Sequence, residues 1–378
     1  MNIAIVGPCF PHRGGIAHYT SLLAANLSRR CPTRLYGFEQ QYPIGLFPGR
    51  SQIEPSSIPL VDVDSRRWLI PWLPSSWQKV SRDWMMYKPG LVIFQWWVPF
   101  MAPMTAWLIR QARRLEISTT VICHNVLPHE KNPLDGLVVR WALSHADRLF
   151  VHSFDDQSLA KKLLPHIQIE RVSHPSYQAF KTPTWTREEA RAALKIDGNV
   201  ALFFGMIRPY KGLQDLLDAL PAVLSQIDLT LLMVGEVWGD AKSYHRKIKQ
   251  LGLESQVRVI DRYISNDDVA MYFAAADLVV LPYRYATGSG VLQLALGLGV
   301  PVVASRTGSF AEEIQDGENG FLVEPGNESE LANAIVRFFR EGHAATFRDA
   351  IQRNRARFEW DALIDALLKP VMERWSDA

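Results

Sequence analysis

The chain reads as an α/β protein built from two successive parallel-sheet halves. Short apolar runs of strand length alternate with stretches spaced like amphipathic helices along its whole length. The alternation is broken once, by the Pro/Ser/Thr-rich stretch HPSYQAFKTPTW at 174–185. The length, 378 residues, exceeds what one hydrophobic core ordinarily spans and suits two domains.

In the first half, residues 2–6, 91–95, 119–123 and 148–152 are nearly continuous apolar runs. Strands of a parallel sheet covered by helices on both faces have this pattern. Residues 16–27 and 104–115 repeat their apolar positions every three to four residues and are expected as helices. The second half repeats the design with expected strands at 200–205, 230–235, 257–260, 278–282, 300–304 and 320–323. Helices are expected at 213–224 and 328–339. Two such halves predict a cleft between the carboxyl ends of two sheets, where open α/β folds bind ligands.

Composition narrows the function classes. Hydrophobic content of 48% excludes a disordered chain, and no uninterrupted apolar run reaches membrane-spanning length. The N-terminal MNIAIVGPCF has the length of a strand and lacks a basic leader, so it is not expected to be a signal peptide. Three scattered cysteines, Cys9, Cys31 and Cys123, point to a reducing, cytoplasmic setting rather than a disulfide framework. No His/Cys/Asp cluster has metal-site spacing, so no metal is expected. Residues 1–180 carry 19 Lys+Arg against 12 Asp+Glu, a balance of +7. The remaining residues carry 22 against 27, or −5, which together give the net +2. The basic front half reads either as ordinary surface variation or as a face for an anionic membrane surface, on the inner face of the plasma membrane, and the Trp/Arg-rich 66–114 region as a membrane interface, an aromatic core or a carbohydrate-stacking surface. Within that region Trp96 and Trp97 are expected in the core and the Trp68–Trp84 group at the interface. No nucleic-acid partner is expected.

Two motifs carry the chemistry. FFGMIRPYKG, 203–212, ends an apolar strand at Gly205 and brings Arg208 and Lys211 to the loop before a helix. LPYRYATGSGVLQLALGLGVP, 281–301, runs from another apolar strand through Thr287-Gly288-Ser289-Gly290 into a helix. Two cations with free helix-start N–H groups suit a diphosphate, hence a nucleotide-activated substrate. Cations at a helix start oppose its dipole, which disfavours a purely structural role for them. Gly14-Gly15 repeats the strand–glycine–helix design in the front half and allows close backbone approach to a ligand. His124, after the apolar run 119–123, is placed either to bond a sugar hydroxyl or phosphate, or as a structural imidazole satisfied by backbone. His129 and Glu130, further along that loop, are candidates to serve an acceptor. A G-x-G-x-x-G pattern and a Walker A loop are both missing, which counts against nucleotide-dependent dehydrogenases and P-loop NTPases.

In this order, the GG loop, HNVLPHE at 124–130, ADRLFVHS at 146–153, RPYKG, and ADLVVLPY leading to GVPVVASRTGSFAEEIQDGENGFLV resemble the retaining GT-B glycosyltransferases of family GT4, glycosyl transferases group 1. The resemblance implies two Rossmann-like domains facing across a cleft. Residues 1–176 would bind the acceptor and 177–360 the nucleotide sugar, with 361–378 packing back on the first domain. It implies transfer of a sugar from a UDP- or GDP-linked donor to a glycan or lipid-linked acceptor, with retention and without a further cofactor. Arg208 and Lys211 would stabilise the leaving diphosphate and His124 would orient the sugar, these three being the catalytic candidates. Gly14, Gly15, Gly205, Gly288, Ser289, Gly290 and Gln293 would bind the donor. The family's E-x7-E carboxylates fall at Ala286 and Leu294 here, so Gln293 is the candidate ribose contact and Thr287 or Ser289 the sugar contact. Their loss keeps open a non-catalytic nucleotide-sugar or glycan-binding protein of the same fold. A nucleotide-sugar epimerase is a third reading.

Overall fold

A computed structural model describes the chain except residues 44, 46, 48, 129–131, 182, 183, 377 and 378, and the side chains of 181 and 370–376. His129 and Glu130 therefore lie outside the described residues. The chain divides into two compact units, the first comprising Met1–Pro175 and Phe358–Ala378, the second Ser176–Arg357.

The first unit holds β1 (Asn2–Val6), β2 (Thr33–Phe38), β3 (Ser65–Leu69), β4 (Pro89–Trp96), β5 (Ser118–Cys123), β6 (Arg148–Val151) and β7 (Gln168–Arg171). They form one parallel sheet in the order β3-β2-β1-β4-β5-β6-β7. The central strands β1, β4, β5 and β6 are the apolar runs, buried on both faces. The edge strands β3 and β7, SRRWL and QIER, carry charge along the sheet margin, where unpaired backbone would otherwise invite association. That polarity is why neither stands out as a strand in the sequence.

Helix Pro74–Tyr87 corrects the expectation for the Trp68–Trp84 group. Trp77 and Trp84 are buried together with Val80, on the face that i, i+3, i+7 spacing presents to the sheet. Trp84 meets Tyr36 and Phe94 edge to face, and the Trp77 indole N–H donates to the Ile70 carbonyl. Trp68 is half-buried, with the Lys79 ammonium 4.2 Å from its ring centroid. Of this group only Trp72 is exposed. Trp96 is core, and Trp97 packs partly buried against it. The helix Trp360–Ser376 returns to this unit: Asp361 and Asp365 pair with Arg30, and Arg148 donates to the Ala366 carbonyl at 3.1 Å.

The second unit holds β8 (Val200–Phe204), β9 (Thr230–Val234), β10 (Val257–Ile260), β11 (Leu278–Leu281), β12 (Val302–Ser305) and β13 (Gly320–Val323). All are parallel, in the order β10-β9-β8-β11-β12-β13. The strand order reverses between β8 and β11. Such a switch point splays the two following loops apart and leaves a crevice at the carboxyl ends of the strands. Each motif singled out in the sequence follows one of these two strands, so the topology brings them together across some seventy residues of chain.

Candidate active site

In the second unit β8 ends at Phe204, and the chain passes through Gly205 into a 3-10 turn, Pro209–Lys211, before helix Leu213–Leu224. Gly212 makes the junction with φ +67°, and a Cβ there would stand 1.8 Å from the Pro282 carbonyl oxygen, so only glycine lets this loop close on the loop after β11. Lys211 is thereby buried, with its ammonium 5.3 Å from the centroid of the Tyr283 ring. No carboxylate pairs with it among the described residues. Burial, followed by the neighbouring Arg208 charge, pulls its pKa down despite Tyr210. An unpaired buried ammonium is unfavourable alone and favourable once an anion arrives.

Arg284, two residues past Pro282, shows the contrast. Its guanidinium grips the buried Asp215 with two bonds, of 2.9 and 2.6 Å, and is thus committed to structure. Arg208 is half-buried, 5.4 Å from the Trp238 ring centroid and 5.8 Å from that of Tyr210. The Trp238 indole N–H in turn donates to Glu236 at 3.0 Å.

Helix Gly290–Leu298 begins beside Lys211. Ser289 is its N-cap, and its hydroxyl accepts the Leu292 N–H at 3.3 Å. The N–H groups of Gly290 and Val291 then have no partner within the helix. A Cβ on Gly205 would lie 3.1 Å from Val291 and 3.4 Å from the Lys211 Nζ, so Gly205 joins the helix start to the cation. Gly288 has open space, its ideal Cβ meeting only the Ser309 hydroxyl at 3.9 Å, and Gly290 packs on Tyr177. Thr287 is buried in the same turn. Arg208, Lys211, Gly205, Gly288, Ser289 and Gly290 are therefore brought to one switch point.

Gln293 is not. It is wholly buried, and its amide N–H donates to Glu313, a carboxyl that burial raises to about 8. The expected ribose contact is corrected: one position along a nine-residue helix turns the side chain by about 100°, here into the core. Ala286 and Leu294 are buried too.

In the first unit Gly14 caps helix Gly15–Ser28, and Cβ atoms at both glycines would meet nothing within 4 Å. That helix presents Tyr19 to His124, His152, His174 and Trp360, with ring centroids 4.6, 5.5, 5.2 and 5.1 Å away. The His124 Nε2–H donates to Gln95 Oε1 at 2.7 Å, and its backbone N–H to Trp96. His152 donates from Nδ1 to the Val172 carbonyl and His174 from Nδ1 to that of Pro175. Burial, reinforced by His152 and His174, holds His124 well below the ordinary histidine range; His152 falls to about 4 and His174 to about 3. His124 is thus a neutral imidazole whose Nδ1 is left as an acceptor. Gln95 was a findable signal, a lone amide within the apolar run LVIFQWW. Nothing in the sequence links His152 and His174 to His124, because only the sheet unites them. Among the described residues no group of three or more His, Cys, Asp or Glu is placed to hold a metal ion, and no helix is long and apolar enough to cross a membrane.

Two Rossmann-like units in succession, with the cation loop in the second, make a GT-B fold. Residues 198–341 match the family described as Glycosyl transferases group 1. A D-inositol 3-phosphate glycosyltransferase of Mycobacterium leprae is 31% identical over 252 residues, covering 62% of this chain and 56% of that protein. The enzyme of that name from Acidothermus cellulolyticus is 26% identical over 237 residues, covering 59% and 52%. The chain thus spans about half the length of the curated relatives it matches. Among solved structures, sucrose-phosphate synthase from Thermosynechococcus elongatus superposes with a TM-score of 0.75 at 18% identity, covering all of both chains. HepE from Anabaena in complex with UDP-glucose gives 0.72 at 21%, again over both whole chains. At these identities the structural likeness establishes the fold.

Proposed function

We propose that this protein is a retaining glycosyltransferase that moves a sugar from a nucleoside diphosphate to a glycan or lipid-linked acceptor. The observation that carries the reading is Lys211, a buried ammonium with no carboxylate partner among the described residues, beside the start of helix Gly290–Leu298. The family match over this unit and the UDP and UDP-glucose complexes of HepE support a UDP-linked donor; a GDP-linked one is the alternative base. Charge develops on the departing diphosphate in the transition state. Lys211, Arg208 and the Gly290 and Val291 N–H groups are fixed donors for that charge, so they stabilise the transition state more than the ground state. The diphosphate oxygens take up the acceptor proton, and no protein nucleophile or metal is required. His124, neutral and holding its Nδ1 lone pair, orients the transferred sugar by accepting from a hydroxyl. It is suited to that task and not to neutralising phosphate.

Incubation with UDP- and GDP-sugars and a panel of glycan and polyprenyl-phosphate acceptors tests the reading. Release of one nucleoside diphosphate, with a glycosylated product retaining the donor's anomeric configuration, is expected. Donor binding without transfer or release across the panel contradicts it. A lipid-linked acceptor brings the protein to a peripheral position on an anionic, cytoplasmic membrane face. Exposed Leu134, Leu137 and Trp141, with Arg110 5.3 Å from the Trp141 ring and Arg140 alongside, supply apolar and cationic contacts there. Absence of binding to phosphatidylglycerol vesicles at low salt removes that part of the proposal.

A further inference from the structure

In the first unit three aromatic side chains, each from a different strand-end loop, form a continuous strip. Tyr42 follows β2, Trp72 follows β3, and Phe100 lies in the 3-10 turn Pro99–Met101 after β4. Tyr42 and Phe100 stack with centroids 5.9 Å apart and planes 21° from parallel. Trp72 continues the strip 6.4 Å from Phe100 at 46°. All three strands are parallel and run into this edge, so the strip lies along their carboxyl ends.

The strip is held in place from behind. The Trp97 indole N–H donates to the Tyr42 hydroxyl at 3.1 Å. The Gln52 side chain accepts from the Tyr42 backbone N–H and donates to its carbonyl, both at 3.1 Å. One bond thus fixes the Tyr42 ring and two fix its backbone, while the neighbouring rings face solvent: Phe100 is 40% exposed and Trp72 42%. An ordinary core aromatic is buried, and an ordinary surface aromatic is isolated and free to rotate. Open rings that pack on one another and on an anchored Tyr42 lose less entropy than isolated ones when a flat apolar face lands on them.

The geometry points to this strip as a stacking subsite for a pyranose ring of the acceptor. A pyranose offers C–H groups on one face to the electron-rich ring surface and hydroxyls at its rim. Among the described residues no guanidinium or ammonium lies over the Tyr42, Trp72 or Phe100 ring, so the strip suits a neutral hydroxylated ring better than an anionic headgroup. The assignment rests on the glycosyl-transfer reading for the role of the sugar, but its residues are separate from those of the diphosphate site.

Saturation-transfer NMR with methyl glucopyranoside, galactopyranoside and mannopyranoside tests it, on wild type, Trp72→Ala, Phe100→Ala and Lys211→Ala, with UDP titrated in parallel. At least one glycoside should take saturation at its ring C–H protons on wild type and equally on Lys211→Ala. The signal should fall about fivefold or more in Trp72→Ala and Phe100→Ala, the loss typical of an aromatic anchor, while UDP affinity is unchanged. Equal saturation in both aromatic variants, or none on a wild type that still binds UDP, overturns the subsite. So does vesicle binding that is lost in Trp72→Ala when no glycoside takes saturation, which makes the strip a membrane contact. Glycoside binding with no UDP binding leaves the subsite standing and removes the donor reading instead.

Discussion

The Lys211 ammonium stands 3.4 Å from the point where a Cβ on Gly205 would lie, and Val291 closes the other side at 3.1 Å. One missing methyl group therefore links the end of β8, the cation and the helix start. Gly205→Ala should displace both neighbours and strain a backbone held at φ +99°. UDP affinity is expected to fall about tenfold or more, as befits loss of a charge-assisted contact. Unchanged affinity by calorimetry, in a variant with wild-type circular dichroism, would show that the three groups do not act together.

Lys211 also predicts a conflict between stability and function. Its depressed pKa means the folded state binds this proton less well than the unfolded chain. Stability therefore rises as pH climbs through the folded pKa towards 10.5. Lys211→Met, which keeps the volume and removes the charge, should raise Tm by a few degrees at neutral pH while weakening UDP binding about tenfold or more. A lower Tm would mean that the ammonium is satisfied within the protein.

Glu313 predicts the opposite slope, between pH 4.5 and about 8. Burial raises its carboxyl from 4.5 to about 8, so between those values the folded state holds a proton the unfolded chain has released, and stability falls as pH rises. Glu313→Gln preserves an amide partner for Gln293 and cannot ionise. Its Tm should match wild type near pH 4.5 and exceed it by a widening margin towards pH 8. Parallel melting curves across that range would contradict the assignment.

The histidines around Tyr19 set the acid limit of the first unit. His152 and His174, lowered to about 4 and about 3, are neutral when folded. Stability is lost as pH falls from the ordinary 6.5 through those values. His124 and these two face one another from the loops after β5, β6 and β7. His152→Asn, which retains a donor for the Val172 carbonyl, should move the acid-unfolding midpoint by circular dichroism to lower pH. An unmoved midpoint would assign the transition to other groups.

What was legible in the sequence follows from periodicity and its failures. β1, β4, β5 and the central strands of the second sheet are apolar on both faces, so their runs are visible without any partner. β3 and β7 are edge strands whose charges erase the pattern. RPYKG announced itself because cations at a helix start oppose its dipole, and TGSG because a glycine turn there leaves backbone N–H groups open to a ligand. The direction of Gln293 was not legible: neighbouring positions on a helix differ by a rotation that only the packed Glu313 reveals. The tryptophans misled for a related reason. Trp77 and Trp84 sit among Lys79 and Arg82, and the interleaving looked interfacial until the helix face separated them.

The most direct test of the account is a calorimetric titration of UDP, without added metal, into wild type and Lys211→Ala. The account predicts binding to wild type, weakened about tenfold or more in a variant whose fold is intact. Equal affinity in the two proteins would place the diphosphate elsewhere and contradict the site.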